Sequence, residues 1–171
     1  KCNTLVVGLL REALVAQGWA ALGRLSAAER RGSKLLFSMG LLLREVGQLE
    51  EARPLLEEAL QGRKETLGDR HPHTLISIGN TADLLRATGA LVEAEAVLCN
   101  SVGVAREVFG IHHMRTLKIT AIAAELQHAQ PGGAAAGKEL LAATVARMGE
   151  VLGEDHQHTC KYREVLLIEM E

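Results

Sequence analysis

The chain is poor in aromatic residues, which make up 2% of its 171 residues, and it has no excess of basic ones. Lys and Arg number 19 against 21 Asp and Glu, which gives a net charge of −2. This balance excludes the basic footprint of a nucleic-acid-binding domain, so no nucleic-acid partner is expected. No apolar run reaches the ~18–20 residues that span a bilayer, so no transmembrane segment is predicted.

Cysteine is also scarce, with Cys2, Cys99 and Cys160 as the three copies. Their odd number and the lack of a Cys-x-x-Cys pair argue against a disulfide framework and against a structural zinc site. Cys99 and Cys160 fall within predicted helices, and we expect both to be small core residues.

Hydrophobic residues make up 47% of the chain, and most of them are Leu, Ala and Val. Leu and Ala are strong helix formers, whereas the β-branched and aromatic residues that favour strands are comparatively scarce. The composition therefore predicts helices with enough apolar surface to bury a core.

A nine-residue motif occurs three times, at 67–75, 109–117 and 152–160. Its Gly residues are spaced by 42 and then 43 positions, and a His and a Thr recur with them. The recurring residues are Gly68, Gly110 and Gly153, His71, His113 and His156, and Thr74, Thr116 and Thr159. Such a period indicates stacked helical hairpins, each of which buries its apolar face against its neighbours.

Each repeat is predicted to contain a helix A, a short turn, a helix B and a longer turn. In the middle repeat the apolar spacing predicts helix A over 73–87 and helix B over 91–108, with Gly89 ending helix A. Ala94 is expected where the two helices cross, since a larger residue would push them apart at a cost of about 1–3 kcal/mol. We expect the motif histidines to close the turns, and Thr116 or a neighbour to cap the next helix A.

The run from Gly47 to Leu60, followed by Leu67-Gly68-Asp69-Arg70-His71-Pro72, resembles the kinesin-light-chain type of tetratricopeptide repeat (TPR). The resemblance covers about residues 34–171 and implies an all-α fold, a TPR-type right-handed α-solenoid of antiparallel helix hairpins. That family often places a peptide-contacting Asn in helix A. Asn80 matches this position, whereas Ser38 and Ile122 occupy it in the other two repeats.

The repeat period divides the chain into five predicted segments. Residues 1–33 form a degenerate leading repeat or cap, with a helix over 3–17 ended by Gly18, a second helix over 22–31, and Trp19 packed against the next repeat. The following segments are a first repeat over 34–72, a second over 73–114, a third over 115–157, and a partial fourth repeat or C-terminal cap over 158–171.

No pattern for a metal, cofactor or catalytic site stands out. The histidine clusters occur once per repeat, so they are not expected to converge as zinc ligands must. The Gly-rich segment 132–138 fails the P-loop spacing because Glu139 follows Lys138. We therefore predict no metal, no cofactor and no enzymatic activity.

The inner wall of the repeat stack is the candidate contact surface, because helix A of each repeat is expected to line it. The predicted partner-binding residues are Lys34, Arg44, Glu45, Asn80, Asp83, Arg86, Lys118, Glu125 and His128. This mixed-charge groove suits a peptide or helix from a partner protein. If the groove binds a partner, replacing Asn80 and Arg86 with Ala is expected to weaken that binding without unfolding the chain.

Three functions remain open from sequence alone. The first is a protein–protein interaction scaffold that acts through the groove. The second is a structural subunit permanently embedded in a large multi-protein assembly, and the third is a regulatory helical domain of a larger enzyme. The chain begins at Lys1 and not at Met, which suggests a fragment or a processed form. We expect a soluble intracellular protein of the cytoplasm, or of an organelle if a targeting peptide has been removed.

Overall fold

The repeat period is visible directly in the helices of the structure, which is a computed structural model. The structure describes residues 2–168, and it describes the side chains of residues 11–168 except 27, 28 and 32. Within that range the chain forms α-helices and no strand. They are α1 (Cys2–Leu22), α2 (Ala27–Gly32), α3 (Lys34–Glu45), α4 (Leu49–Leu67), α5 (Pro72–Ala87), α6 (Leu91–Leu98), α7 (Ser101–Phe109), α8 (Met114–His128), α9 (Ala134–Leu152) and α10 (Gln157–Ile168). The last three residues of the predicted fourth segment lie outside the described residues.

The chain divides into an N-terminal unit, Lys1–Asp69, and a C-terminal unit, Arg70–Glu171. In the N-terminal unit, α3 and α4 form an antiparallel hairpin. Helix α3 ends because Gly47 adopts φ +83°, which lets the N–H of Gln48 donate to the carbonyl of Leu43 at 2.9 Å. Small residues allow the two helices to cross closely: a Cβ added to Gly40 would lie 2.8 Å from the Leu56 side chain.

Helix α1 packs against α3, and Gly18 is part of that contact. We predicted that Gly18 ends the first helix, but the helix continues through it to Leu22. A Cβ at Gly18 would collide with the sulfur of Met39. The glycine therefore serves close packing between helices, and the chain turns only at Gly23, whose N–H donates to the Trp19 carbonyl at 2.9 Å.

The C-terminal unit contains the hairpin α5–α6/α7, the hairpin α8–α9 and the single helix α10. Small, fully buried residues stand at both hairpin crossings, Ala94 in one and Gly137 in the other. An added Cβ at Gly137 would lie 2.6 Å from the Ala124 carbonyl oxygen. The predicted need for a small residue at Ala94 is consistent with its complete burial.

The turns between repeats are closed by the motif residues, as predicted. Gly110 adopts φ +92°, a conformation that favours glycine. His113 then caps α8, because its Nδ1 accepts the N–H of Arg115 at 3.2 Å. Thr116 does not cap the helix; its hydroxyl donates instead to the Ala105 carbonyl at 3.0 Å and joins α8 to α7.

Helix B of the middle repeat is not continuous, contrary to the prediction of one helix over 91–108. It breaks between α6 and α7, where Asn100 adopts the left-handed conformation with φ 59°. Asparagine tolerates this region better than other non-glycine residues, which makes the break possible here. The break leaves Cys99 exposed, and Cys160 is exposed on α10, so the prediction that both are core residues was wrong.

Candidate partner-binding site

The predicted contact residues separate into two groups in the structure. In the N-terminal unit, Lys34 is exposed at the start of α3, and Arg44 and Glu45 pair with each other at 3.4 Å in its last turn. In the C-terminal unit, five of the six predicted residues lie together. His128 is the exception, because its Nδ1 lies 2.8 Å from the carbonyl oxygen of Ala134 at the start of α9.

Arg86 is the centre of this second group. Its Nη1 lies 2.9 Å from Glu125 Oε2 on the neighbouring α8, and its Nη2 donates to Asp83 Oδ1 at 3.3 Å. Asp83 also faces the Nζ of Lys118, 3.8 Å from its Oδ2. One guanidinium therefore ties two carboxylates from two successive helices A.

Asn80 takes part through Lys118. The Lys118 Nζ donates to Asn80 Oδ1 at 3.0 Å, and the Asn80 amide nitrogen donates to the Ile76 carbonyl at 2.8 Å. These two bonds hold Lys118 in position between Asn80 and Asp83.

Sequence reasoning missed one member of the group, Lys161 on α10. Its Nζ lies 3.5 Å from Asp83 Oδ1. The signal was available, because Lys161 follows Lys118 by the same 43 residues that separate Gly110 from Gly153. We call Asn80, Asp83, Arg86, Lys118, Glu125 and Lys161 the charged cluster.

The members of the charged cluster differ systematically in exposure. The side chains of Glu125 and Asp83 are 6% and 10% exposed. Those of Lys118, Arg86 and Lys161 are 18%, 20% and 41% exposed. The carboxylates thus lie at the base of the cluster, and the cations lie between them and the solvent.

The electrostatics of two further groups follow from this arrangement. Burial is the largest influence on Arg86 and by itself lowers its pKa, but Glu125 and Asp83 together raise the pKa above its ordinary value. Burial also lowers the pKa of His158, and the nearby cations Lys118 and Lys161 lower it further, while Asp83 opposes them. The exposed fractions, and not these pKa shifts, show that the cations of the cluster are nearer to solvent than its carboxylates.

Two other kinds of site, a metal site and a membrane-spanning helix, were sought among the described residues. No group of three or more His, Cys, Asp or Glu side chains among residues 11–168 is placed to hold a metal ion. No helix over the same part of the chain combines the length and apolarity needed to cross a bilayer.

Comparison with known proteins identifies the repeat. A family model described as tetratricopeptide repeat matches residues 31–107. Two crystal structures of nearly identical TPR-like repeats from Podosopora anserina, described as belonging to a kinesin light chain, have TM-scores of 0.65 and 0.63. The first is a substituted form; each is 24% identical over 92% of this chain and 72% of the other. No curated protein matches the chain in sequence.

At this level of identity the structural likeness concerns the fold. It agrees with the family match, with the 42-residue period and with the helix hairpins described above, so the predicted all-α repeat fold is confirmed. Residues 31–107 thus match the tetratricopeptide repeat family, and the fold of the chain is similar to that of TPR-like repeats described as belonging to a kinesin light chain.

Proposed function

We propose that this chain is a non-catalytic scaffold whose charged cluster binds an acidic segment of a partner protein. Tetratricopeptide repeats are in general protein–protein interaction scaffolds, and repeats of this kind present extended surfaces to their ligands. The proposal adds a surface, the helices α5, α8 and α10, and a partner chemistry, the carboxylates of Asp and Glu.

The order of exposure in the charged cluster carries this proposal. A partner group that approaches from solvent meets the ammonium of Lys161 first, then Lys118 and Arg86, whereas Asp83 and Glu125 lie beneath them. Charge-assisted hydrogen bonds from these cations to a carboxylate are about twice as strong as those between neutral groups. The surface therefore favours an acidic ligand, although it contains both signs of charge.

Asn80 supports the same function indirectly. Its carbonyl oxygen accepts from Lys118, so it orients an ammonium that would otherwise sample several rotamers. Pre-ordering a flexible lysine reduces the entropy lost on binding, which is about 0.5–1.5 kcal/mol for each immobilised side chain.

The double replacement of Asn80 and Arg86, suggested by sequence, is a poor test of this function. Arg86 compensates the buried Glu125, and removing one partner of a buried ion pair destabilises a protein by about 3–5 kcal/mol. The variant would therefore lose binding through unfolding as well as through lost contacts. Lys161 is the better target because it is the most exposed cation of the cluster.

The test is Lys161→Glu, measured by fluorescence anisotropy with a labelled peptide of alternating Glu and Ala. The matched control is Arg147→Glu, which makes the same charge change at an exposed α9 position with no ion pair among the described residues. We expect the first variant to weaken binding about 10-fold or more, which is ~1.4 kcal/mol, and the control to change it little. Equal effects of the two variants, or no effect of Lys161→Glu, would overturn the proposal.

A second candidate is a subunit permanently embedded in a larger assembly. The observation that favours it is the pair Leu167 and Ile168, which are large apolar side chains exposed on α10. Purification from the native source separates the two functions: a stable stoichiometric complex favours the subunit, and a free chain that captures acidic peptide favours the scaffold. A regulatory role within a larger enzyme would require catalytic sequence covalently joined to this chain, and the mass of the native protein tests it.

A further inference from the structure

A second surface, in the N-terminal unit, has the opposite chemistry to the charged cluster. It is a cleft of about 610 Å³ between α1 and the turn that joins α3 to α4. Apolar side chains of α1 and the turn form part of its lining, and the rest is polar: carboxylates from α1, α3 and α4, together with Arg11 and Gln48. The lining residues that matter here are Val15, Trp19, Val46, Glu12, Glu45 and Glu51.

Trp19 gives this cleft a chemical preference. It is the single Trp of the chain, and it is 39% exposed, whereas Leu22 in the next turn of α1 is fully buried. The sequence suggested a packing residue, but Trp19 lines the same cleft as Val46 and is among the large hydrophobic residues that are exposed. An open indole face attracts cations more strongly than any other side-chain ring.

The carboxylates reinforce this preference. Glu12, Glu45 and Glu51 line the cleft together with one cation, Arg11, so three negative charges against one positive leave a net charge of −2. Glu45 pairs with Arg44. Glu12 and Glu51 are exposed and form no ion pair within the described part of the chain.

We propose that this cleft binds a Lys- or Arg-containing segment of a partner protein. The cationic head lies over the Trp19 ring and within reach of Glu12 and Glu51, and the aliphatic stem packs on Val15 and Val46. Long cationic side chains combine these two contacts, because their stems are apolar and their heads are charged. An acidic or neutral segment lacks a partner for the carboxylates, so charge complementarity selects the basic one.

The position of Trp19 makes the binding directly measurable. Because no other Trp is present, the tryptophan emission of the full chain, excited selectively over that of Tyr162, reports on this cleft alone. We expect a peptide of alternating Lys and Ala to change the emission saturably, and a peptide of alternating Glu and Ala to leave it unchanged. An equal response to both peptides would overturn the proposal.

Paired variants identify the groups responsible. Glu12→Gln combined with Glu51→Gln is expected to weaken binding of the Lys peptide about 10-fold or more. The control, Glu65→Gln combined with Glu150→Gln, removes the same net charge from exposed positions outside the cleft and is expected to weaken it less than 3-fold. If both pairs weaken binding equally, the peptide senses only the net charge of the chain and the cleft is not its site.

Trp19 is tested by calorimetry, since its removal also removes the fluorescence. Trp19→Ala is expected to abolish measurable Lys-peptide binding, and Trp19→Phe to restore part of it, because Phe retains a weaker ring. Binding unchanged in Trp19→Ala would exclude the cleft. Lys161→Glu is expected to leave Lys-peptide binding intact, so this proposal and the acidic-ligand function of the C-terminal unit fail or survive separately.

Discussion

The charged cluster and the Trp19 cleft both contain carboxylates and cations, but they differ in how deeply the carboxylates lie. In the cluster, the carboxylates of Asp83 and Glu125 are buried beneath cations. In the cleft, the carboxylates of Glu12 and Glu51 face solvent. The two surfaces also differ in the sign of their charge, because cations outnumber carboxylates in the cluster and carboxylates outnumber cations in the cleft.

One repeat position explains why the two regions differ. Asp83 and Glu125 occupy equivalent positions of their repeats, 42 residues apart, and the equivalent residue of α3 is Leu41. Without a carboxylate at this position, α3 cannot build a buried ion-pair network of the kind seen around Arg86. Instead, Arg44 of α3 pairs with its neighbour Glu45, whose side chain is exposed. An ion pair with an exposed partner contributes little to stability.

The largest expected effect on stability comes from removing Arg86, the centre of the charged cluster. Arg86→Met removes the guanidinium that compensates two buried carboxylates, so we expect a loss of about 3–5 kcal/mol in the free energy of unfolding. Urea unfolding followed by circular dichroism measures it. In the cleft, Arg11→Met is expected to change stability by no more than about 0.5 kcal/mol, because Arg11 is exposed.

A compensating change sharpens this result. Combining Arg86→Met with Glu125→Leu replaces a buried ion pair with apolar groups, which is often neutral, so most of the lost stability should return. If Arg86→Met lowers the free energy of unfolding no more than Arg11→Met does, then the ion pairs of the buried carboxylates do not stabilise the fold.

A smaller effect is expected from the packing that frames the cleft. Gly18→Leu adds bulk where the Met39 side chain lies, so either Met39 or α1 must shift, and we expect a cost of about 1–3 kcal/mol. It should also shift the Trp19 emission and weaken Lys-peptide binding while leaving acidic-peptide binding unchanged. Gly103→Leu serves as the control, since an added Cβ there meets no atom within 4 Å and Leu has a higher helix propensity than Gly. A cost at Gly103 equal to that at Gly18 would contradict close packing as the role of Gly18.

The helix caps allow a more symmetrical comparison. Ser33 caps α3 through a 3.0 Å bond from the Leu35 N–H, and His113 caps α8 through the Arg115 N–H at 3.2 Å. Ser33→Ala and His113→Ala should each cost about 1 kcal/mol, and His113→Asn should retain most of the stability. Thermal unfolding tests this, and an Asn variant as unstable as the Ala variant would count against capping as the role of His113.

The smallest expected effect concerns pH and His158. Its pKa is lowered in the folded state by burial and by Lys118 and Lys161, so the unfolded chain takes up a proton at a higher pH than the folded chain does. His158 therefore contributes stability above the unfolded value of about 6.5, and this contribution is lost as the pH falls toward the folded pKa. The fall in stability from pH 7 to 5 should be shallower in His158→Gln, as urea titrations at several pH values will show.

The repeat organisation was predictable from sequence because its signals are local. The Gly and His residues of the nine-residue motif act through their own backbone and the next turn of helix, as Gly110 and His113 do. The predicted helix A over 73–87 differs from the observed α5 by one residue at its start. The break at Asn100 escaped prediction because it depends on one left-handed residue within an otherwise helical pattern.

The site was predictable only in part. Asn80, Asp83, Arg86, Lys118 and Glu125 were correctly assigned to helices A, but sequence gave no measure of depth and treated all five as groove residues. Their burial depends on how closely α8 approaches α5, and this approach is set by contacts such as that of Gly79 with Ile119, 3.1 Å from an added Cβ. Lys161 was overlooked although the repeat spacing makes it equivalent to Lys118.

The sequence by itself determined the all-α repeat, because turn glycines, capping histidines and apolar spacing act over a few residues. Only the tertiary structure decided which charges face a partner. Whether a carboxylate lies beneath a cation or above it depends on side chains from helices about 40 residues apart, such as Arg86 and Glu125. Local patterns carry no information about that depth, which decides the charges that the cluster presents to solvent.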